Sequence, residues 1–313
     1  MSLVNKSRKA ILMFVRALLR AWRAVLRRAT GKSELARILR KALIAENDGF
    51  STELVRAVAR SIASSSSTES PGVKGAVFGK HRFDVAEVAR ALSESEGISE
   101  EDKPSLVWCL QILAFVNAVH EKTSNLQRTK YDPSDSAHAA LLEALWNSLQ
   151  PEARRVDWSP LGFQNGQRPE SDFRGMGLLG LHQLVFFAES RNREARQVLA
   201  DSTNPKRYFP FAAAGINITA FTTAMLEQRR LDTCLYEAIV KHMPAGELPE
   251  DTGVLVEAGV AAFNRIYGDE YVEFSRFWHE SDPASTMAFP GIFGTIKQRS
   301  NSRFPPLLGS FDS

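Results

Sequence analysis

From Glu101 onward the apolar residues recur at helical spacing, and no useful length of chain alternates with the period of two that a strand requires. The body is therefore expected to be all-α. Residues 102–120 read as a long apolar helix opened by Asp102-Lys103-Pro104. Asp132-Pro133 followed by Ser136 opens another through Leu141, Leu142, Leu145, Trp146 and Leu149, which Pro151 stops. Residues 174–189 are apolar on most faces, which places that helix in the interior. Further helices are expected over about 194–199, 216–228, 232–241, 255–267 and 271–280. With 313 residues, 44% apolar and 24% charged, the chain is globular and long enough for one large domain or two ordinary ones.

The net charge of +3 conceals a division. Residues 1–41 hold twelve Lys and Arg against one acid, Glu34, a balance of +11; the remainder holds 27 against 35, or −8. Within the arm, residues 8–29 form an amphipathic helical pattern. At about 100° per residue, Phe14, Trp22, Ile11, Val15, Leu18 and Leu19 share an apolar arc. Arg16, Arg20, Arg23 and Arg27 gather on the opposite side, and Thr30-Gly31 ends the pattern. Such a helix can lie in an anionic membrane interface, or pack its apolar face on the body, or alternate between the two.

A second amphipathic stretch at 33–45 begins with Ser33 as its capping residue, and 52–61 continues in the same style. Residues 61–79 are rich in Ser and Gly without a sustained period and read as a flexible linker or long surface loop. The expected organisation is thus basic amphipathic helices over 1–60, a linker or loop over 61–100, a helical domain over 101–302 and a tail over 303–313. The uncharged runs at 104–120 and 208–226 are interrupted by polar residues, Pro210 and Gly215, and read as core helices where a membrane span needs roughly 20 apolar residues. Two cysteines, Cys109 and Cys234, both in apolar surroundings, make no disulfide framework and point to a reducing compartment with inert thiols.

Searches for chemistry are largely empty. His120-Glu121 and His279-Glu280 lack the second histidine of a zinc helix, so no metal site is expected; there is no nucleophile elbow and no Walker-type phosphate loop. Gly175-Met176-Gly177-Leu178-Leu179-Gly180 fits the dinucleotide fingerprint literally, but polar, turn-like residues precede it where a strand is required. Close approach of another backbone at Gly177 and Gly180 is the preferred reading. Asp172 is placed to cap a helix beginning at Phe173. Arg174 then falls in its first turn, where the helix dipole disfavours a cation.

The stretch Trp158-Ser159-Pro160-Leu161-Gly162-Phe163-Gln164, followed by Pro169-Glu170-Ser171-Asp172-Phe173-Arg174-Gly175-Met176-Gly177-Leu178-Leu179-Gly180-Leu181, resembles the signature of the ELMO domain. Other landmarks of that family follow in order: Tyr131-Asp132, Leu145-Trp146, Asn204-Pro205-Lys206, Gly215 to Thr219, and Phe274 to Trp278. Thr30 to Leu35, after the basic stretch, is similar to the amino-terminal region of short ELMO-domain proteins. The segment Asn165-Gly166-Gln167-Arg168 departs from the pattern: it is one residue longer, with Arg168 where an acid or Asn is commoner.

The resemblance implies a multi-helix ELMO domain with a basic amphipathic extension. It also implies a GTPase-activating protein for an Arf or Arf-like small GTPase, acting through the motif arginine, which is Arg174 here. Such a protein has no cofactor of its own, because GTP and Mg²⁺ belong to the partner. Asp172 would orient Arg174 or cap its helix, Gly175 and Gly177 would clear space, and Phe163, Trp158 and Phe173 would support the loop from beneath. Gln164 would touch the partner or make a structural hydrogen bond. The rival reading is a non-catalytic scaffold that regulates small-GTPase signalling with a Dock-type exchange factor. The basic arm then answers to a membrane surface and not to nucleic acid, and the expected location is cytoplasmic, peripheral on an intracellular membrane.

Overall fold

The computed structural model describes residues 33–44, 50–65, 71–150, 155–243 and 248–306, with Ala21 and Glu152. The proposed membrane-facing residues Phe14, Arg16, Arg20, Trp22, Arg23 and Arg27 lie outside the described residues. The described residues are helical and contain no strand, so the fold is all-α. The chain divides into two compact units, residues 1–118 with 239–255, and residues 119–238 with 256–313.

The first unit begins with α1 (Glu34–Ile44), α2 (Thr52–Ser64), α3 (Pro71–Val77), α4 (Val85–Glu96) and the start of α5 (Lys103–Arg128). Small polar residues punctuate these helices. Ser33 Oγ accepts the Ala36 N–H at 3.1 Å, Ser51 Oγ accepts that of Leu54 at 3.2 Å, and Asp84 Oδ1 accepts those of Ala86 and Glu87 at 2.8 and 3.0 Å. Helices α3 and α4 correct the expectation of a linker or loop over 61–100. Pro71 suits a first helical position, and Asp84 with Gly97 brackets α4 as cap and stop. Arg40 ties α1 to the turn before α5, contacting Glu101 at 2.6 Å, Ser99 Oγ at 3.1 Å and Asp102 at 3.4 Å.

The amide of Asn117, fully buried on α5, donates to the carbonyls of Ala76 at 3.1 Å, Val77 at 3.2 Å and His81 at 3.0 Å. It thus serves carbonyls at the C-terminal end of α3 and, at His81, in the segment that follows, as a buried helix end requires. Asn117→Ala removes the donor and strands those acceptors. The expected cost is about 1–3 kcal/mol, seen as a lowered urea midpoint; an unchanged midpoint would show that another group satisfies them.

The second unit contains the end of α5, then α6 (Ser136–Leu149), α7 (Gly177–Ser190), α8 (Asn192–Ser202), α9 (Phe211–Glu227), most of α10 (Asp232–Val240), nearly all of α11 (Gly253–Glu280), and α12 (Phe289–Arg303). Asp135 caps α6 by accepting the Ala137 N–H at 2.8 Å. Helix α7 is the interior element: Leu178, Leu179, Leu181, Leu184, Val185, Phe187 and Ala188 are all buried, as its all-round apolar sequence requires. Even Gln183 on this helix is buried, and its amide donates to Asn264 Oδ1 at 3.3 Å. Aromatic residues fill the space around it. Phe187 lies 5.3 Å from Tyr271, which is 5.1 Å from Phe211, and the Tyr271 hydroxyl donates to the Phe211 carbonyl.

Burial pushes the thiol pKa of both Cys109 and Cys234 above the ordinary value. Thiolate character is therefore disfavoured at each. No helix among the described residues is long and apolar enough to cross a membrane.

Candidate functional site

Two short 3-10 turns in the second unit, Ser159–Leu161 and Pro169–Arg174, carry the motif residues. Proline sits at the start of each, where its fixed φ is compatible and its missing N–H costs nothing. Gly162 ends the first turn at φ +73°, and a Cβ there would stand 2.3 Å from the Phe211 backbone nitrogen. The first turn is thereby pressed against the start of α9.

The intervening loop is held by its own polar atoms. The Trp158 N–H donates to the Gly166 carbonyl at 2.9 Å, and Asn165 Oδ1 accepts the N–H groups of Gln167 and Arg168, each at 3.1 Å. The longer segment, 165–168, is thus an ordered turn. Its Arg168 side chain donates to Glu170 at 3.1 Å.

Beneath the turns runs a chain of rings. Trp146 meets Trp158 edge-on at 5.8 Å, Trp158 meets Phe163 at 6.0 Å, and Phe163 meets Phe173 at 5.7 Å. Tyr131 then stacks on Phe173 at 6.3 Å and approaches His138 at 5.5 Å. Each such pair adds about 0.5–1.5 kcal/mol beyond area burial. Burial, with the nearby carboxylates of Glu170, Glu143 and Asp132, holds the Tyr131 pKa above its usual value, so the ring stays neutral. At the other end Arg155 lies 4.4 Å from the Trp158 ring and pairs with Glu143 at 2.6 Å, a hydrogen bond that raises the guanidinium pKa. Phe163 and Phe173 are buried here, and Trp158 is half-buried.

The polar residues differ from expectation in one respect. Asp172 does not cap a helix starting at Phe173. The α-helix begins four residues later at Gly177, and Asp172 lies inside the 3-10 turn. Its Oδ2 accepts the Gln164 backbone N–H at 2.7 Å, and Ser171 Oγ lies 3.4 Å from its Oδ1. A carboxylate that accepts a backbone N–H across a loop has the same local sequence as a cap, which explains the difference. Arg174 closes the turn, outside the first turn of α7. Its Nε donates to the Ser171 carbonyl at 2.7 Å. The residue is exposed, and no carboxylate among the described residues lies within ion-pair distance of it.

Gly175 is exposed, and a Cβ there would meet nothing within 4 Å. Gly177 is the opposite case. It has φ +51°, and a Cβ would stand 2.3 Å from the Gln127 carbonyl oxygen and 2.5 Å from that of Thr129. The Thr129 carbonyl also accepts the Leu178 N–H at 2.9 Å, so the end of α5 satisfies an orphan donor of α7. Close backbone approach therefore holds at Gly177. At Gly180 the nearest atoms are side chains, led by Met176 Cβ at 3.3 Å.

The motif residues Trp158, Phe163, Gln164, Asp172, Arg174, Gly175 and Gly177 thus come together. The structure adds Thr129 and Tyr131, distant in sequence, and Arg155, three residues before Trp158, as braces. Nothing in local spacing marks Thr129 or Arg155. Among the described residues no group of three His, Cys, Asp or Glu is placed to hold a metal.

Comparison with known proteins matches this region. The model for the ELMO/CED-12 family covers residues 121–293, more than half of the chain and all of the site. The chain belongs to the ELMO/CED-12 family. It is 31% identical over 225 residues to ELMO domain-containing protein B of Dictyostelium discoideum, covering 68% of this chain and 72% of that one. Against ELMO domain-containing protein 2 of Mus musculus it is 30% identical over 230 residues, 71% of each. Likeness to ELMO domain-containing protein 1 of Bos taurus runs further, 29% over 314 residues, covering 92% of this chain and 89% of the relative. The last alignment extends the likeness well beyond the span of the family model.

Proposed function

We propose that this ELMO-family protein is a GTPase-activating protein for an Arf or Arf-like small GTPase, with Arg174 inserted in trans at the bound GTP. The observation that carries the reading is the state of Arg174. Its Nε is fixed to the Ser171 carbonyl, while Nη1 and Nη2 have no hydrogen-bonding partner among the described residues. An exposed guanidinium anchored at one nitrogen and open at two is prepared for a forked contact with an anion.

Phosphoryl transfer leaves little covalent work for the protein beyond positioning and charge stabilisation. Charge spreads over the phosphoryl oxygens in the transition state, and an arginine supplied by a second protein neutralises it. The turn that ends at Arg174 rests on the buried Phe163 and Phe173 rings and on Tyr131, and the helix start after it is held by the Thr129 carbonyl, so the guanidinium is carried on a rigid base. GTP and Mg²⁺ stay with the partner GTPase.

The test is a panel of GTP-loaded Arf-family GTPases. At least one is expected to hydrolyse GTP faster when the protein is added. No acceleration across the panel would overturn the reading, and binding without acceleration would favour the scaffold role.

The basic arm supplies the location in this account. With Trp22 and Phe14 on one side and Arg16, Arg20, Arg23 and Arg27 on the other, residues 8–29 suit an anionic membrane surface. Each basic residue near such a surface contributes about 1 kcal/mol. Deleting residues 1–29 is expected to abolish pelleting with anionic vesicles, and unchanged pelleting would refute the membrane role.

A further inference from the structure

Of the two roles expected for the motif carboxylate, capping a helix or orienting Arg174, the first does not hold, because the α-helix begins only at Gly177. We infer that Asp172 is a positioning residue that locks the Gln164 loop to the Arg174 turn, so that both segments meet the partner as one rigid surface. The inference rests on the proposed activity and says how this chain holds the arginine for it.

The carboxylate adds a direct bond between two segments that the backbone joins only through Arg168, whose N–H donates to the Asn165 carbonyl at 3.1 Å and whose carbonyl accepts the Ser171 N–H at 3.0 Å. On one side Oδ2 takes the Gln164 N–H at 2.7 Å, the short distance of a charge-assisted bond. On the other, Asp172 sits within the turn whose Ser171 carbonyl holds Arg174 Nε at 2.7 Å. The Ser171 hydroxyl, 3.4 Å from Asp172 Oδ1, links the two contacts. One path therefore runs from Gln164 through Asp172 and Ser171 to the guanidinium. Phe163 and Phe173, ring against ring at 5.7 Å, pair the same two segments from below. The apolar contact fixes their separation, and the directional hydrogen bond fixes their register.

Both Gln164 and Arg174 are exposed while Asp172 is half-buried between them. That arrangement suits a support and not a docking contact: the carboxylate is turned to the chain, and the outer groups are left to the partner. Loss of the lock lets the arginine turn shift against the loop, and displacement of about 1 Å at a reacting centre can cost on the order of a hundredfold in rate.

Three variants test the lock in single-turnover GTP hydrolysis at saturating and sub-saturating protein. Asp172→Ala is expected to lower the maximal rate by at least about tenfold, with a much smaller change in the half-saturating concentration. Asp172→Asn keeps an acceptor for the Gln164 N–H and is expected to restore most of that rate. Asp172→Ala added to Arg174→Ala should lower the residual rate no further, because the positioned group is already gone. Amide exchange gives a readout independent of activity: the Gln164 N–H should be protected in the parent and in Asp172→Asn, and exchange rapidly in Asp172→Ala.

An Asp172→Ala protein as active as an active parent overturns the lock alone. So does a further loss in the Arg174→Ala background, or a Gln164 amide equally protected in all forms. A parent that accelerates no GTPase overturns the proposed function and the lock with it.

Discussion

Replacing Arg174 by alanine is expected to abolish acceleration of GTP hydrolysis, a fall on the order of 10³-fold or more on the responsive GTPase. The protein itself should be nearly undisturbed. The Arg174 side chain is exposed, makes one hydrogen bond to its own turn, and has no ion pair among the described residues. Exposed substitutions of that kind usually change stability by no more than about 0.5 kcal/mol. Loss of activity with an unchanged melting curve therefore separates a role in chemistry from a role in folding. Acceleration that survives in Arg174→Ala would remove the arginine from the mechanism.

The second large effect is on stability. Gly177→Ala is expected to destabilise the second unit by about 3 kcal/mol, from two causes. Its φ of +51° lies in the left-handed region, which costs an L-residue about 1–2 kcal/mol. The added Cβ would also stand 2.3 and 2.5 Å from two carbonyl oxygens at the end of α5. Those are backbone atoms and cannot rotate away, so α5 or α7 must move, at about 1–3 kcal/mol for overpacking. At roughly 2–4 °C per kcal/mol for a unit of this size, thermal unfolding should drop by about 6–12 °C. Gly175→Ala is the matched comparison. Its backbone has φ −88° and its Cβ would find open space, so its unfolding should stay within about 2 °C of the parent. Equal effects of the two substitutions would show that the α5–α7 contact is not what Gly177 serves.

The fold class was legible because helical periodicity runs through most of the body, and Ser33 caps α1 as its sequence suggests, while α6, expected to open at Asp132-Pro133 and Ser136, is capped by Asp135. Boundaries were harder. Residues 61–100 carry two helices that composition disguised: Gly72 and Gly75 interrupt any period in α3, while Asp84 and Gly97 bracket α4 in the usual way. Helix α11 was expected as two pieces but is continuous from Gly253 to Glu280. Gly268 within it marks close packing and not a break, since a Cβ there would stand 2.9 Å from Arg191 Nη1 and 3.3 Å from Phe187.

At the site, the motif named the residues but not their partners. Asp172 carries the local signature of a cap, and only the folded chain places the Gln164 N–H 2.7 Å from it. From just beyond the end of α5, Tyr131 reaches Phe173 in the Arg174 turn and Thr129 reaches the start of α7, each more than forty positions later in the chain. A contact of that span depends on packing between helices, which no local spacing encodes.

In the proposed mechanism the geometry and hydrogen bonds of a guanidinium, and not positive charge alone, act at Arg174. Lysine preserves the charge and the exposed position but cannot make the forked contact. The most direct measurement is single-turnover GTP hydrolysis by one responsive Arf-family GTPase with saturating parent or Arg174→Lys protein. Arg174→Lys is expected to bind the GTPase with little change yet to give a rate close to that of the GTPase alone. A rate close to the parent's would contradict it.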